Sequence, residues 1–195
     1  MKSGVLVSKL YHGSIYNFRS IDTNFGSGYK DFGKGFYTTA SKEHARNIAY
    51  RNAVLHNDNA KEQLKINRNT IIKQINCYYI YNFIFEPNFN GLNVKIFEKS
   101  DLEWVKFILL NRDSAITKHK FDIVIGPTAD ARTMNVINRN LRYRGMISDK
   151  EIYTRLLREL EPENLPNQYF FATNRAVEQT LRFDKVPRDI MYLKR

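Results

Sequence analysis

Residues 28–39 read GYKDFGKGFYTT, and no other stretch of the 195-residue chain constrains its architecture as tightly. Gly33 and Gly35 bracket a turn that brings the backbone close to a neighbour, because glycine alone lacks a Cβ and tolerates left-handed dihedrals. FYTTA follows at once over residues 36–40, an aromatic and β-branched segment that predicts a short strand with Tyr37 on it.

The rest of the chain fits a mixed pattern around that strand. VLVSKLY (5–11) reads as a first strand ending at HGS, and Ser41 is placed to cap a helix over about 41–55 with Ala45, Ile48, Ala49 and Ala53 at helical spacing. Residues 57–73 are polar and basic and fit either a continuing helix or a surface insertion. Gln74–Glu86 predicts a long strand that stops at Pro87, and NVKIF (93–97) another. Ser100-Asp101-Leu102-Glu103 spells a capping box opening a helix whose Leu102, Val105 and Leu109 share a face. FDIVIG (121–126) reads as a buried strand, followed by a helix from Pro127 to about Gly145. A second capping box, Ser148-Asp149-Lys150-Glu151, opens a helix with Ile152, Leu156 and Leu160 inward. NQYFFAT (167–173) predicts a strand, followed by a short helix and a basic tail over about 184–195. Strands at both ends with helices between predict an α+β fold in a single domain spanning 1–195.

Composition narrows the class. Hydrophobic residues make up 43% and charged residues 26%, which is ordinary for a soluble globular domain. The opening MKSGVLVSKLY is too short and polar for a secretory signal, and the longest apolar run, CYYIYNFIF, cannot span a bilayer. Cys77 is the single cysteine, so neither a disulfide framework nor a cysteine-based metal site is expected, and the setting expected is a reducing cytoplasm. No metal and no membrane partner are expected. The net charge of +11 favours polyanionic partners: nucleic acid, an acidic protein or a phosphate-rich cofactor.

Two mechanistic motifs inside GYKDFGKGFYTT fail on inspection. A phosphate loop G-x-x-x-x-G-K-[ST] needs a hydroxyl after the lysine to ligate magnesium, and Gly35 stands there. Such a loop also opens a helix whose N–H groups meet the phosphate, whereas FYTT is β-type. DFG alone is not a kinase signature: only 30 residues precede it, with no glycine-rich loop, lysine-bearing strand or HRD segment among them.

HGS at the end of the first strand, Phe32-Gly33-Lys34-Gly35-Phe36-Tyr37 opening the second, and Asn167-Gln168-Tyr169 late in the chain together resemble a known pattern. It is that of the ADP-ribosyltransferases of the diphtheria-toxin and poly(ADP-ribose)-polymerase branch, whose site is a His, a Tyr and a Glu on three separated strands. The chain is similar to a bacterial family of such domains carrying LYHGS, DFGKGFY, N-R near the middle, DIVIGP-x-AD and NQ-x-x-F in that order, over roughly residues 9–183. The resemblance implies a split mixed β-sheet core flanked by helices, with NAD bound and its nicotinamide–ribose bond broken. His12 would bind the adenosine-side ribose, the Gly13 backbone would clamp the carboxamide, and Tyr11 and Ser14 would flank them. Tyr37 would stack on nicotinamide, an aromatic platform suited to a cationic heterocycle. Gly33, Gly35, Phe36 and Thr38 would frame that platform and leave room for the ligand, and Lys34 would either reach the diphosphate or stay in solvent.

Gln168 departs from the pattern, which has an acid there. Glutamine keeps a hydrogen-bond acceptor but loses the charge and cannot act as a general base, so single transfer or hydrolysis survives while chain extension is not expected. Asp130 is the candidate substitute acid, set against a simpler role at a helix N-terminus. Asn111 and Arg112 are candidate polar site residues or a helix cap. Between Arg132 and Arg158 seven Lys/Arg face two Asp/Glu, a surface for a nucleic-acid or protein acceptor, for an acidic antitoxin, or simply for solvent. The function implied is mono-ADP-ribosylation, suited to a toxin. The alternatives are an NAD- or ADP-ribose-binding module with weak chemistry, and a basic nucleic-acid-binding protein with none.

Overall fold

The computed structural model describes residues 9–66, 73–129, 131–143, 145–146, 148–159 and 166–193. In chain order the elements are β1 (Lys9–Ser14), a 3-10 turn (Thr23–Phe25), β2 (Phe36–Thr39), α1 (Lys42–Ile66), β3 (Cys77–Phe85), β4 (Val94–Ile96), α2 (Leu102–Arg112), β5 (Ile123–Pro127), α3 (Ala131–Leu141), α4 (Asp149–Glu159), β6 (Asn167–Phe171), α5 (Asn174–Thr180) and β7 (Leu181–Tyr192). The fold is α+β, as expected, and its strands pair both parallel and antiparallel. The described chain divides into two compact units.

The first unit comprises Met1–Ile21, Thr38–Asn88 and Val177–Arg195. In it β3 lies between β1 and β7, antiparallel to both, with His12 opposite Tyr81 and Tyr81 opposite Arg188. The β1 ladder runs through His12, Gly13 and Ser14, so HGS forms the end of the strand; residues 5–8 lie outside the described residues. The basic C-terminal segment is β7 through Tyr192, because the long apolar β3 offers a second edge for it to pair with. Helix α1 is capped by Ser41, whose Oγ accepts from the His44 amide at 3.1 Å. Its inward positions are Ala45, Ala49, Ala53 and Ala60. These small residues let the helix lie so near β1 that a Cβ on Gly13 would sit 2.0 Å from the Ala45 carbonyl oxygen. The polar residues 57–66 continue the helix; Asn57 ties it down by bonding both the amide and the carbonyl of Ile75.

The second unit comprises Asp22–Tyr37 and Phe89–Ala176. Here β5 pairs parallel with β4 and antiparallel with β6, placing Gly126 opposite Gln168. Its core gathers Phe32, Phe97, Trp104, Val105, Ile108, Val124, Ile137, Leu156 and Phe170. The α2 cap falls one residue later than the capping-box pattern indicates: Asp101 accepts from the Trp104 amide, while the buried Ser100 hydroxyl has no hydrogen-bond partner among the described residues. The buried face of α2 is Trp104, Val105, Ile108 and Asn111, with Leu109 packed against the same core. The second capping box forms as spelled, with Ser148 Oγ and the Glu151 carboxylate each bonding the other's backbone amide. Ile152 and Leu156 point inward from α4, while Leu160 lies outside the described residues. Helix α3 ends at Leu141, before Gly145, which adopts φ +82° in the following turns. No described helix is long and apolar enough to cross a membrane.

Candidate functional site

The DFGKG loop is held by its own unit. Gly33 adopts φ +96°, and its amide bonds back to the Lys30 carbonyl at 3.1 Å. Thr117 Oγ1 accepts from the Lys34 amide and donates to the Lys34 carbonyl, at 3.0 and 3.1 Å. The His119 ring donates from Nε2 to the Phe32 carbonyl at 2.8 Å. The amides of Phe32, Gly33 and Lys34 are therefore all engaged within the protein. A phosphate cradle needs such donors free and convergent, so the geometry agrees with the exclusion of that motif. A Cβ on Gly35 would meet the Phe170 ring at 2.4 Å and the Phe171 carbonyl oxygen at 2.5 Å. The space that Gly35 leaves is thus filled by β6, a different use from the ligand clearance expected.

Tyr37, on β2 just after that loop, is locked at its hydroxyl. The Oη donates to the Gly33 carbonyl at 2.7 Å and accepts from the Phe32 amide at 3.1 Å. Burial, and secondarily the charge of Asp31, holds its pKa well above the usual tyrosine value, so it acts as a neutral hydroxyl. Its ring lies 4.9 Å from that of Phe170 at a tilt of 52°. Phe170 is two residues along β6 from Gln168, so Tyr37 and Gln168 approach the same strand face.

Gln168 reaches a group absent from the sequence candidates. Its Nε2 donates to Asp31 Oδ2 at 2.8 Å. The same oxygen accepts from the Ala129 amide at 2.8 Å, and Oδ1 accepts from Arg112 Nε at 2.6 Å. A second Arg112 nitrogen lies 2.5 Å from Oδ1 and donates to the Ala129 carbonyl at 2.9 Å. Asp31 is buried, its side chain only 6% exposed. One carboxylate thus joins DFGKGFY, the N-R at the end of α2, the segment after β5 and NQYFF.

Arg112 is accordingly a partner of Asp31, whereas Asn111 is a structural tie: wholly buried, it donates to the Phe107 carbonyl and accepts from the Lys118 amide. Asp130 and the Arg132 side chain lie outside the described residues. On α3, Arg139 pairs with Glu159 of α4, so part of the expected basic surface is neutralised internally.

Tyr11, His12, Gly13, Ser14 and Thr38 belong to the first unit. The His12 ring lies 5.8 Å from that of Phe18, edge-on, and 6.4 Å from that of Tyr81. Tyr81 stacks on Phe18 and accepts from the Phe18 amide at 2.6 Å, so it shapes the segment that follows β1. Ser14 is buried and accepts from the Tyr16 amide at 3.0 Å. At Gly13 the approach of α1 excludes any side chain. Thr38 and Phe36 are buried strand positions.

The sequence matches the family described as "Protein of unknown function (DUF3990)" over residues 8–183. The chain belongs to the DUF3990 family. The matched span contains every segment just described, from β1 to the first residues of β7. No curated protein and no solved structure matches the chain. Among the described residues no group of three or more His, Cys, Asp or Glu is placed to hold a metal ion.

Proposed function

We propose that this DUF3990 protein is an NAD-dependent mono-ADP-ribosyltransferase. The observation that carries the reading is that Tyr37, which closes the segment FGKGFY, packs on Phe170, two residues along β6 from Gln168 and on the same strand face. Tyr37 offers a neutral ring to nicotinamide, and Gln168 offers its amide oxygen to a ribose hydroxyl. The bond from ribose C1′ to the nicotinamide nitrogen breaks, and its electron pair leaves with nicotinamide. The cationic sugar is then captured by a nucleophile on the acceptor, which gives up its proton to solvent or to the acceptor itself. A neutral Gln168 stabilises the cation less than a carboxylate does, since a charge-assisted hydrogen bond is about twice as strong as a neutral one. It cannot deprotonate an incoming hydroxyl, which suits a single transfer and not chain growth.

The acceptor is a protein or nucleic acid, in keeping with the surplus positive charge, and a cytoplasmic toxin restrained by an acidic partner is the biological setting proposed. Incubating the protein with NAD labelled in its adenylate half, beside RNA, DNA and cell lysate in separate reactions, tests the reading. Label fixed to one macromolecular fraction supports it. Saturable NAD binding with NAD left intact points instead to a binding module, the reading favoured by the missing charge at Gln168.

A further inference from the structure

We infer that Asp31 is the positioning residue of this site: through Arg112 and Ala129 it fixes the Gln168 amide so that Oε1 is the atom presented to substrate. The inference rests on the transferase reading for its consequence, and on the hydrogen bonds of one unit for its geometry.

An ionised carboxylate only accepts hydrogen bonds, whereas a glutamine amide has one donating and one accepting end. With Gln168 2.8 Å from Asp31, the amide must turn Nε2 to the carboxylate. A flipped amide would set two acceptor oxygens against each other with no proton between them. Chemistry therefore decides the orientation of Gln168, and Oε1 is left to face away from Asp31. The carboxylate also polarises the amide, increasing the partial negative charge on that oxygen.

Asp31 is itself immobilised. Both its oxygens are engaged, by Arg112, by the Ala129 amide and by Gln168, from three segments distant in sequence. A buried ion pair is a poor device for stability, because desolvation offsets most of its attraction and apolar residues of similar volume serve as well or better. A chain that nevertheless buries Asp31 against Arg112 beside the most polar candidate of the site gains geometric definition from it.

The arrangement makes an acid at 31 and an acid at 168 mutually exclusive. Gln168→Glu would place two carboxylates at hydrogen-bond distance, with Arg112 the one cation paired to Asp31 among the described residues. It should therefore damage the protein, although it restores the acid of the resembling enzymes. Asp31→Asn leaves an amide that can meet Gln168 with either end, so the orientation is lost. In the double variant the amide introduced at position 31 can donate to the carboxylate introduced at position 168. That pairing re-creates one fixed orientation, with the acid moved onto β6.

The three variants are measured for nicotinamide release, as kcat and KM for NAD, and for urea unfolding. Asp31→Asn is expected to lower kcat on the order of ten-fold or more, with KM changed far less, as misoriented site groups do. Gln168→Glu is expected to lower both activity and the unfolding midpoint. The double variant should exceed Gln168→Glu in both. Gln168→Glu more active than wild type with an unchanged midpoint overturns the inference, as does Asp31→Asn indistinguishable from wild type. If wild type releases no nicotinamide, the transferase reading falls by itself. The 31–168 contact is then judged by unfolding: additive single-variant effects overturn it, and recovery in the double variant upholds it.

Discussion

The Tyr37 hydroxyl donates a 2.7 Å hydrogen bond to the carbonyl of Gly33, four residues upstream, and so locks the turn that delivers Tyr37 to its strand. It also accepts from the Phe32 amide. Tyr37→Phe keeps the ring but strands one buried carbonyl and one buried amide. The expected loss is about 1–3 kcal/mol, read from urea unfolding. If the ring is the part that meets nicotinamide, any activity should survive Tyr37→Phe better than Tyr37→Ala.

Gly35→Ala should be more damaging than its size suggests. The added carbon would overlap the Phe170 ring and the Phe171 carbonyl oxygen, and a backbone oxygen cannot yield as a side chain can. A loss of about 1–3 kcal/mol or more is expected, with reduced soluble yield. Gly145→Ala is the contrasting control: among the described residues nothing lies within 4 Å, so its φ of +82° is what resists the change.

The α2 cap gives a paired prediction. Asp101→Ala removes the acceptor of the Trp104 amide and should cost about 1 kcal/mol. Ser100→Ala removes a buried hydroxyl that has no hydrogen-bond partner among the described residues, and should be neutral or stabilising in the same unfolding assay. The reverse ranking would restore the capping box that the sequence spells.

His119 introduces a pH dependence. Burial lowers its pKa, only partly opposed by the hydrogen bond to the Phe32 carbonyl. Its Nδ1 accepts from the Phe121 amide, so the neutral ring with the proton on Nε2 is the form that fits. The unfolded chain binds a proton near pH 6.5 that the folded chain refuses until lower pH. Stability contributed by His119 is thus complete above about pH 6.5 and is lost on acidification below it. The urea midpoint of wild type should fall between about pH 7 and pH 5 more steeply than that of His119→Gln.

What could be read from the sequence follows the range of the interactions involved. The Ser41 and Ser148 caps and the inward Ala45, Ala49 and Ala53 depend on residues three or four apart, and all form as spelled. Asp31 could not be found that way, because its partners Arg112, Ala129 and Gln168 lie 81, 98 and 137 residues away. The one local signal was an acid directly before Phe-Gly-Lys-Gly, at a position that becomes buried. Gly35 was legible as a place of close approach, but its neighbour, β6, comes from elsewhere in the chain. Strand β7 was hidden for the same reason: Pro187 and its charges suppress any local β signal, and pairing with β3 supplies the order.

The most direct measurement of the central claim is the rate of nicotinamide release from NAD by purified protein, beside Tyr37→Ala and Gln168→Ala. All three should be shown folded by matching circular dichroism. The account predicts measurable release by wild type and its loss in both variants. Release that persists undiminished in both variants, or none from wild type with RNA and lysate present, would contradict it.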